Sequence, residues 1–203
     1  MPKIVDHEKQ RRRVAEAAMR IIRRGGLEQA SVRNIAEEAG LSVGSMRHYF
    51  ASQAELFAYC MNLFLVQIEE RIKAMKFDGP LLTVLKQLIF QFLPVDEERR
   101  TEMEVWFTFN AKTLVYPELK ELSDDMYKNL LNISGMVIDQ LIAHKLAKPG
   151  LDADIEREKL YALIDGLAIH SMLRPDVLTP DRLETIIDQH LQSLCGEAPE
   201  SPA

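Results

Sequence analysis

The chain has little of what staples, breaks or anchors a polypeptide. Its 203 residues hold only 2 cysteines, 9 glycines, 9 prolines and 1 tryptophan, with aromatics at 7%. Cys60 and Cys195 lie far apart, each in an apolar helical pattern, which excludes a disulfide framework and fits reduced thiols. Glycine and proline are too sparse for a collagenous or low-complexity chain. No run approaches the roughly 18 apolar residues of a membrane span, and the opening MPKIVDHEKQRRR has no apolar signal core. A cytoplasmic location with no membrane partner is therefore expected. No Walker A loop, G-x-G-x-x-G turn or H-E-x-x-H helix occurs, and His7, His48, His144, His170 and His190 are scattered away from any metal-ligand spacing. Neither a metal, nor another cofactor, nor enzymatic activity is expected.

What is present is charge, unevenly placed. The net charge of −6 argues on its face against a polyanionic partner. The first fifty residues, however, carry ten Lys/Arg against six acids, a net of +4, and the remainder carries 15 bases against 25 acids, a net of −10. A basic quarter joined to an acidic body suggests two tasks.

Apolar residues recur with a helical period along nearly the whole length. Val14, Ala17, Ala18, Ile21 and Ile22 make one stripe that Gly25-Gly26 stops. Short helices follow over residues 32–39 and 43–49, capped by Ser31 and Ser42. Ser52-Gln53-Ala54-Glu55 then matches a capping box and opens a long fourth helix reaching about Lys76. Helices are expected further on at about 80–92, 97–115, 118–147, 153–173 and 180–194, separated by prolines. β-alternation never persists, so the expected fold is all-α with about nine helices. Its parts would be a three-helix head over 1–52, a larger helical domain over 53–195 and a disordered tail over 196–203.

Residues 31–50, SVRNIAEEAGLSVGSMRHYF, have the layout of a helix-turn-helix, whose second helix enters the major groove. Val32, Ile35, Ala36, Ala39, Leu41, Met46 and Phe50 fall at spacings that close a small core. Val43, Gly44, Ser45, Arg47 and His48 are left to point elsewhere. Small groups at Gly44 and Ser45 allow close approach to base edges, and Arg47 suits bidentate pairing with guanine. Ser42 can meet a backbone oxygen, Val43 a thymine methyl, and His48 and Tyr49 a phosphate. Spacing alone also permits a purely structural helical corner.

The run from Ser31 to Leu56, with Ile35-Ala36, Ala39-Gly40, Leu41-Ser42, Gly44 and Tyr49-Phe50, resembles the DNA-binding domain of TetR-family transcriptional repressors. Met46-Arg47-His48-Tyr49-Phe50-Ala51-Ser52-Gln53 is similar to the branch with a BetI-like C-terminal half. Arg47 stands where that family commonly has tyrosine, and Gln53 where a lysine commonly holds a phosphate. The resemblance implies a homodimer on a palindromic double-stranded operator, released by a small-molecule effector. DNA contacts would come from Ser31, Val32, Arg33, Ser42, Val43, Gly44, Ser45, Arg47, His48, Tyr49 and Gln53.

The resemblance also implies an effector pocket among the middle helices, and Met103, Trp106, Phe107, Phe109, Asn110, Tyr127, Met136 and His170 offer a suitable mix of aromatic, soft and polar groups. Each could equally be core filling. Dimerisation is expected through the last two long helices, with Leu160, Leu163, Ile164 and Leu167 on one and Leu183, Ile187, Leu191 and Leu194 on the other. The alternative function is an architectural or nucleoid-associated DNA binder without an effector.

Overall fold

The computed structural model describes residues 6–114 and 117–196. Among these the chain forms nine α-helices and no strand: α1 (His7–Gly25), α2 (Val32–Glu38), α3 (Val43–Met46), α4 (Gln53–Ala74), α5 (Leu81–Ile89), α6 (Glu97–Thr113), α7 (Lys120–Ala143), α8 (Ala153–Leu173) and α9 (Pro180–Leu194). The all-α architecture follows the helical periodicity of the sequence. The stripe Val14, Ala17, Ala18, Ile21 and Ile22 is buried along α1, which Asp6 caps by accepting the Lys9 amide. Gly26, at φ 75°, ends the helix in a conformation that a side chain would strain.

Three helices are shorter than their periodicity predicts. The α3 helix ends at Met46, not Tyr49, because the amides of His48 and Tyr49 bond three residues back, to Ser45 and Met46, and tighten the chain into turns. The α5 helix gives way at Phe90 to a short 3-10 turn over Phe90–Phe92. The α7 helix stops at Ala143, well ahead of Pro149. Lys145 takes φ 59°, and the amides of Leu146 and Ala147 both return to the Leu141 carbonyl. Ser52 does cap α4 by accepting the Glu55 amide at 3.0 Å, but the Glu55 carboxylate reaches back to the Ala51 amide at 2.8 Å. The expected tail falls outside the described residues from 197 onward.

The chain divides into two compact units that interleave in sequence. One comprises residues 1–73 and 96–122, which puts α6 with α1–α4, and the other comprises residues 74–95 and 123–203, which puts α5 with α7–α9. This division differs from the linear one drawn at residue 52. Phe57, Phe64, Phe109, Ile22, Ile35 and Leu56 are the largest fully buried side chains of the first unit, and Ile89, Leu93, Ile138, Leu141, Leu160 and Leu183 those of the second. Each such burial is worth roughly 1.5–3 kcal/mol.

The leucine stripes of α8 and α9 are the main correction. Leu160, Leu167, Leu183, Ile187, Leu191 and Leu194 are all at most 7% exposed within the single chain, so they form its own core and are not free for a partner. Leu163 and Ile164 are half-buried. An apolar stripe declares that a face will be covered, not what covers it.

Candidate nucleic-acid interface

The helix-turn-helix is assembled from local devices. Ser31 accepts the Asn34 amide at 3.2 Å and starts α2. Gly40 takes φ 67° in the turn, where a side chain would be strained and its Cβ would lie 3.4 Å from Arg13 Nη2. Ser42 accepts the Ser45 amide at 3.0 Å, and the two hydroxyls lie 2.9 Å apart. Gly40-Leu41-Ser42-Val43-Gly44 also spells G-x-S-x-G, the pattern of a hydrolase nucleophile elbow. That elbow needs a strand feeding the serine. Here a helix precedes it, and the hydroxyl is an N-cap.

Around this turn Ser42, Val43, Gly44, Arg47 and His48 are exposed, and Ser45 and Tyr49 half-buried. Met46 and Phe50 face the core at 3% and 2% exposure. A helix of four residues and the turn that follows it thus present small and polar groups outward, anchored by Met46 within the helix and Phe50 after the turn. Arg33 is exposed near the start of α2, while Ser31 and Val32 are half-buried. Gln53 sits differently from the rest: its side-chain amide donates to the Ala30 carbonyl at 2.8 Å, tying the start of α4 to the residue before the Ser31 cap.

Much of the positive charge is spent inside the unit. Arg11 pairs with Glu55, Arg12 with Glu16, Arg23 with Glu98, and both Arg20 and Arg24 with Glu38. Hydrogen bonds from Arg20 and then Arg24 hold the Glu38 carboxyl below its ordinary pKa. Among the described residues, Lys9, Arg13, Arg33 and Arg47 are exposed and form no ion pair, which leaves them available for phosphate or base contacts.

The pocket candidates are spread over both units. On α6, in the first unit, Met103, Trp106 and Phe109 are buried and Phe107 and Asn110 half-buried, with the Asn110 side chain donating to the Trp106 carbonyl at 3.1 Å. In the second unit Tyr127, Met136 and His170 are exposed, and Tyr127 meets Tyr161 edge-on at 5.2 Å. A cleft of about 400 Å³ in that unit is lined by Leu131, Asn132, Gly135, Asp139, Asp154, Arg157 and Glu158, none of them a candidate. Sequence reasoning passed over Glu102. Next to Met103, it is fully buried and takes a two-pronged bond from Arg71 at 2.6 and 2.8 Å. Its neighbours Glu97 and Glu98 lie on the helix exterior, and only the position one turn on, facing α4, sets Glu102 apart.

A capped, exposed second helix after a tight turn, on a small trihelical head carried by a longer all-helical chain, is the architecture of a helix-turn-helix protein, and the comparisons with known proteins place it among transcriptional regulators. Residues 14–60 match the family described as bacterial regulatory proteins, tetR family, and residues 82–196 match the BetI-type transcriptional repressor C-terminal family. The HTH-type transcriptional regulator PksA of Bacillus subtilis (strain 168) is 44% identical over 200 residues, covering 97% of this chain and 95% of PksA. The crystal structure of a transcriptional regulator from Rhodococcus sp. Rha1 superposes with a TM-score of 0.76 at 28% identity, covering 91% of this chain and 95% of that one. A regulator from Saccharomonospora viridis, solved in complex with choline, has a TM-score of 0.72 at 24% identity, covering 92% and 95%. The chain belongs to the TetR family of bacterial regulatory proteins, with a C-terminal part of the BetI type.

Proposed function

We propose that this regulator is a cytoplasmic repressor that binds a palindromic operator as a homodimer and is released by a small-molecule effector, with no chemical step of its own. The exposed face of α3, capped by Ser42 and followed at its C-cap by an unpaired Arg47, is the observation that carries this reading. The set Ser31, Val32, Arg33, Ser42, Val43, Gly44, Ser45, Arg47, His48 and Tyr49 supplies the contacts: Arg47 reads a base edge, Val43 meets a thymine methyl, Gly44 and Ser45 allow close approach, and the others position the helix on the DNA backbone. Gln53 acts from inside, by holding Ala30.

Two copies are needed because one four-residue helix reads too few base pairs, whereas a twofold pair reads two half-sites about 34–36 Å apart or a multiple of that. The outer face of α8 supports the dimer. Ile155, Ala162, Gly166, Ile169 and Leu173 share one side of the helix, opposite Leu160 and Leu167. Ile155 is 49% and Leu173 69% exposed, and a Cβ added at Gly166 would meet nothing in the chain. Small residues between two large ones let a second helix approach closely.

Release follows if the effector prefers a conformation in which the two reading helices are wrongly spaced. The Saccharomonospora viridis regulator, which shares the fold, holds choline. An organic cation suits a second unit rich in carboxylates. Arg47→Ala should weaken binding to a selected duplex by about 1–3 kcal/mol and relax preference at one base pair per half-site. Unchanged affinity and preference remove α3 as the reading element. A thermal-shift screen of small metabolites, choline included, tests the effector, and a stabilising compound that leaves DNA binding intact contradicts release.

A further inference from the structure

The α3 helix is too short to hold its own orientation, and its exit is gripped from two other helices. Phe50, four residues beyond Met46, is 2% exposed. The Arg11 guanidinium of α1 lies 4.6 Å from the centre of the Phe50 ring and 5.0 Å from that of Tyr59 on α4. Those rings meet each other edge-on at 5.5 Å. Arg11 also reaches the Glu55 carboxylate at 3.2 Å, and the other oxygen of Glu55 accepts the Ala51 amide, the next residue along the chain from Phe50. Tyr59 is itself fixed to α1, its hydroxyl donating to Glu8 at 2.6 Å. Arg11 Nε is buried and has no hydrogen-bond acceptor, so ring faces and one carboxylate hold this side chain in place. A side chain so enclosed is not available to reach a phosphate.

We propose that Arg11 is a positioning residue for DNA reading: clamped between Phe50, Tyr59 and Glu55, it fixes the exit of the reading helix against α1 and α4 without touching DNA. This rests on α3 being the reading element. Arginine suits the task because a planar guanidinium can stack on rings while pairing with a carboxylate, which a lysine ammonium cannot do in one geometry. His7 adds a second grip, its Nε2 lying 3.2 Å from the His48 carbonyl and its ring 5.2 Å from that of Tyr49.

The test uses the full chain and a duplex selected from a random pool by the wild-type protein, with affinity measured across a range of KCl concentrations. Arg11→Lys and Arg11→Ala should both bind about tenfold more weakly with the wild-type salt slope, and selection repeated with Arg11→Lys should give relaxed preferences at the bases read by α3. Arg11→Lys binding like wild type while Arg11→Ala loses about one unit of slope would make Arg11 a phosphate contact and overturn the proposal. Unchanged base preferences with only a lowered melting temperature would make it merely structural, and also overturn it. Should Arg11→Ala fail to fold, Glu55→Gln keeps an acceptor for the Ala51 amide and removes the charge. It should bind roughly threefold more weakly at unchanged slope, and binding equal to wild type overturns the proposal. Arg47→Ala separates the two ideas: if it changes neither affinity nor preference, the assignment of α3 fails, whatever the Arg11 variants do.

Discussion

The unit of α1–α4 and α6 is cross-linked by charge, whereas the unit of α5 and α7–α9 is closed by leucine and isoleucine. In the first, several links have one partner drawn inward: the Glu102 side chain is 1% exposed, and Arg11 and Glu38 are less than one quarter exposed, while Arg20, Arg23 and Arg24 stay at the surface. In the second, the links between helices have outer partners, as in Lys86 with Glu184 and Asp188, and Arg157 with Asp139. Length explains the contrast at α2 and α3, though not the Arg71–Glu102 link, which joins the long α4 and α6. Helices of seven and four residues cannot bury enough apolar surface to fix their own orientation, so longer neighbours fix it for them with directional contacts. In the second unit α7, α8 and α9, of 15 to 24 residues, need only a continuous stripe, and the nine-residue α5 is the helix there that Lys86 ties to α9. The part that reads a partner is thus the part whose geometry depends most on specific polar side chains.

The strongest challenge to this contrast lies on the outside of the stripe-built unit. A Cβ at Gly166 meets nothing within the chain, so a Gly166→Arg monomer should fold normally, while a buried unpaired charge at the proposed interface should cost the dimer several kcal/mol. Sedimentation at micromolar concentration should show monomers, and a persisting dimer would move the interface elsewhere. Within the charge-built unit, Arg71→Met strips the buried Glu102 of its fork and should cost about 3 kcal/mol by urea unfolding. A cost below 1 kcal/mol would make that pair dispensable.

The same pair has a pH signature. Burial pushes the Glu102 carboxyl above its ordinary value despite the Arg71 bonds. The folded state therefore binds the proton more tightly than the unfolded chain. The resulting stability is full below the unfolded value and is lost as pH rises through the raised one. Stability of wild type relative to Glu102→Gln should fall as pH rises above the ordinary glutamate value of about 4.3 and through the raised one. A rise would mean that attraction to Arg71 outweighs burial. Smaller still, Ser42→Ala removes the α3 cap and should cost about 1 kcal/mol while weakening DNA binding. Arg12→Ala breaks an exposed pair and should change stability by less than about 0.5 kcal/mol.

The helix order, the two serine caps, the turn glycine and the anchors Met46 and Phe50 were all legible in the sequence, because each depends on residues a few positions apart. Partners across distance were not. That Gln53 holds Ala30, that Arg11 stacks on Phe50, and that Glu102 is buried rather than solvated depend on which helix faces which, and no local pattern carries that information. The α8 and α9 leucines illustrate the same limit from the apolar side, since their stripe was plain but its partner lay within the chain. The interleaving of α5 and α6 between the two units is likewise invisible to a linear boundary. Charge by segment was informative, yet half of the ten bases in the first fifty residues pair with carboxylates, so the surplus overstates what is free for DNA.

On the proposed reading, the exposed face of α3, presented twice by a symmetric dimer, reads DNA. Selection of duplexes from a fully random pool by the wild-type protein tests it most directly. One enriched motif is expected, with inverted half-sites whose centres are about 10 base pairs, or a multiple, apart. Recovery of sequences with no shared motif, or of a single unrepeated half-site, would contradict it.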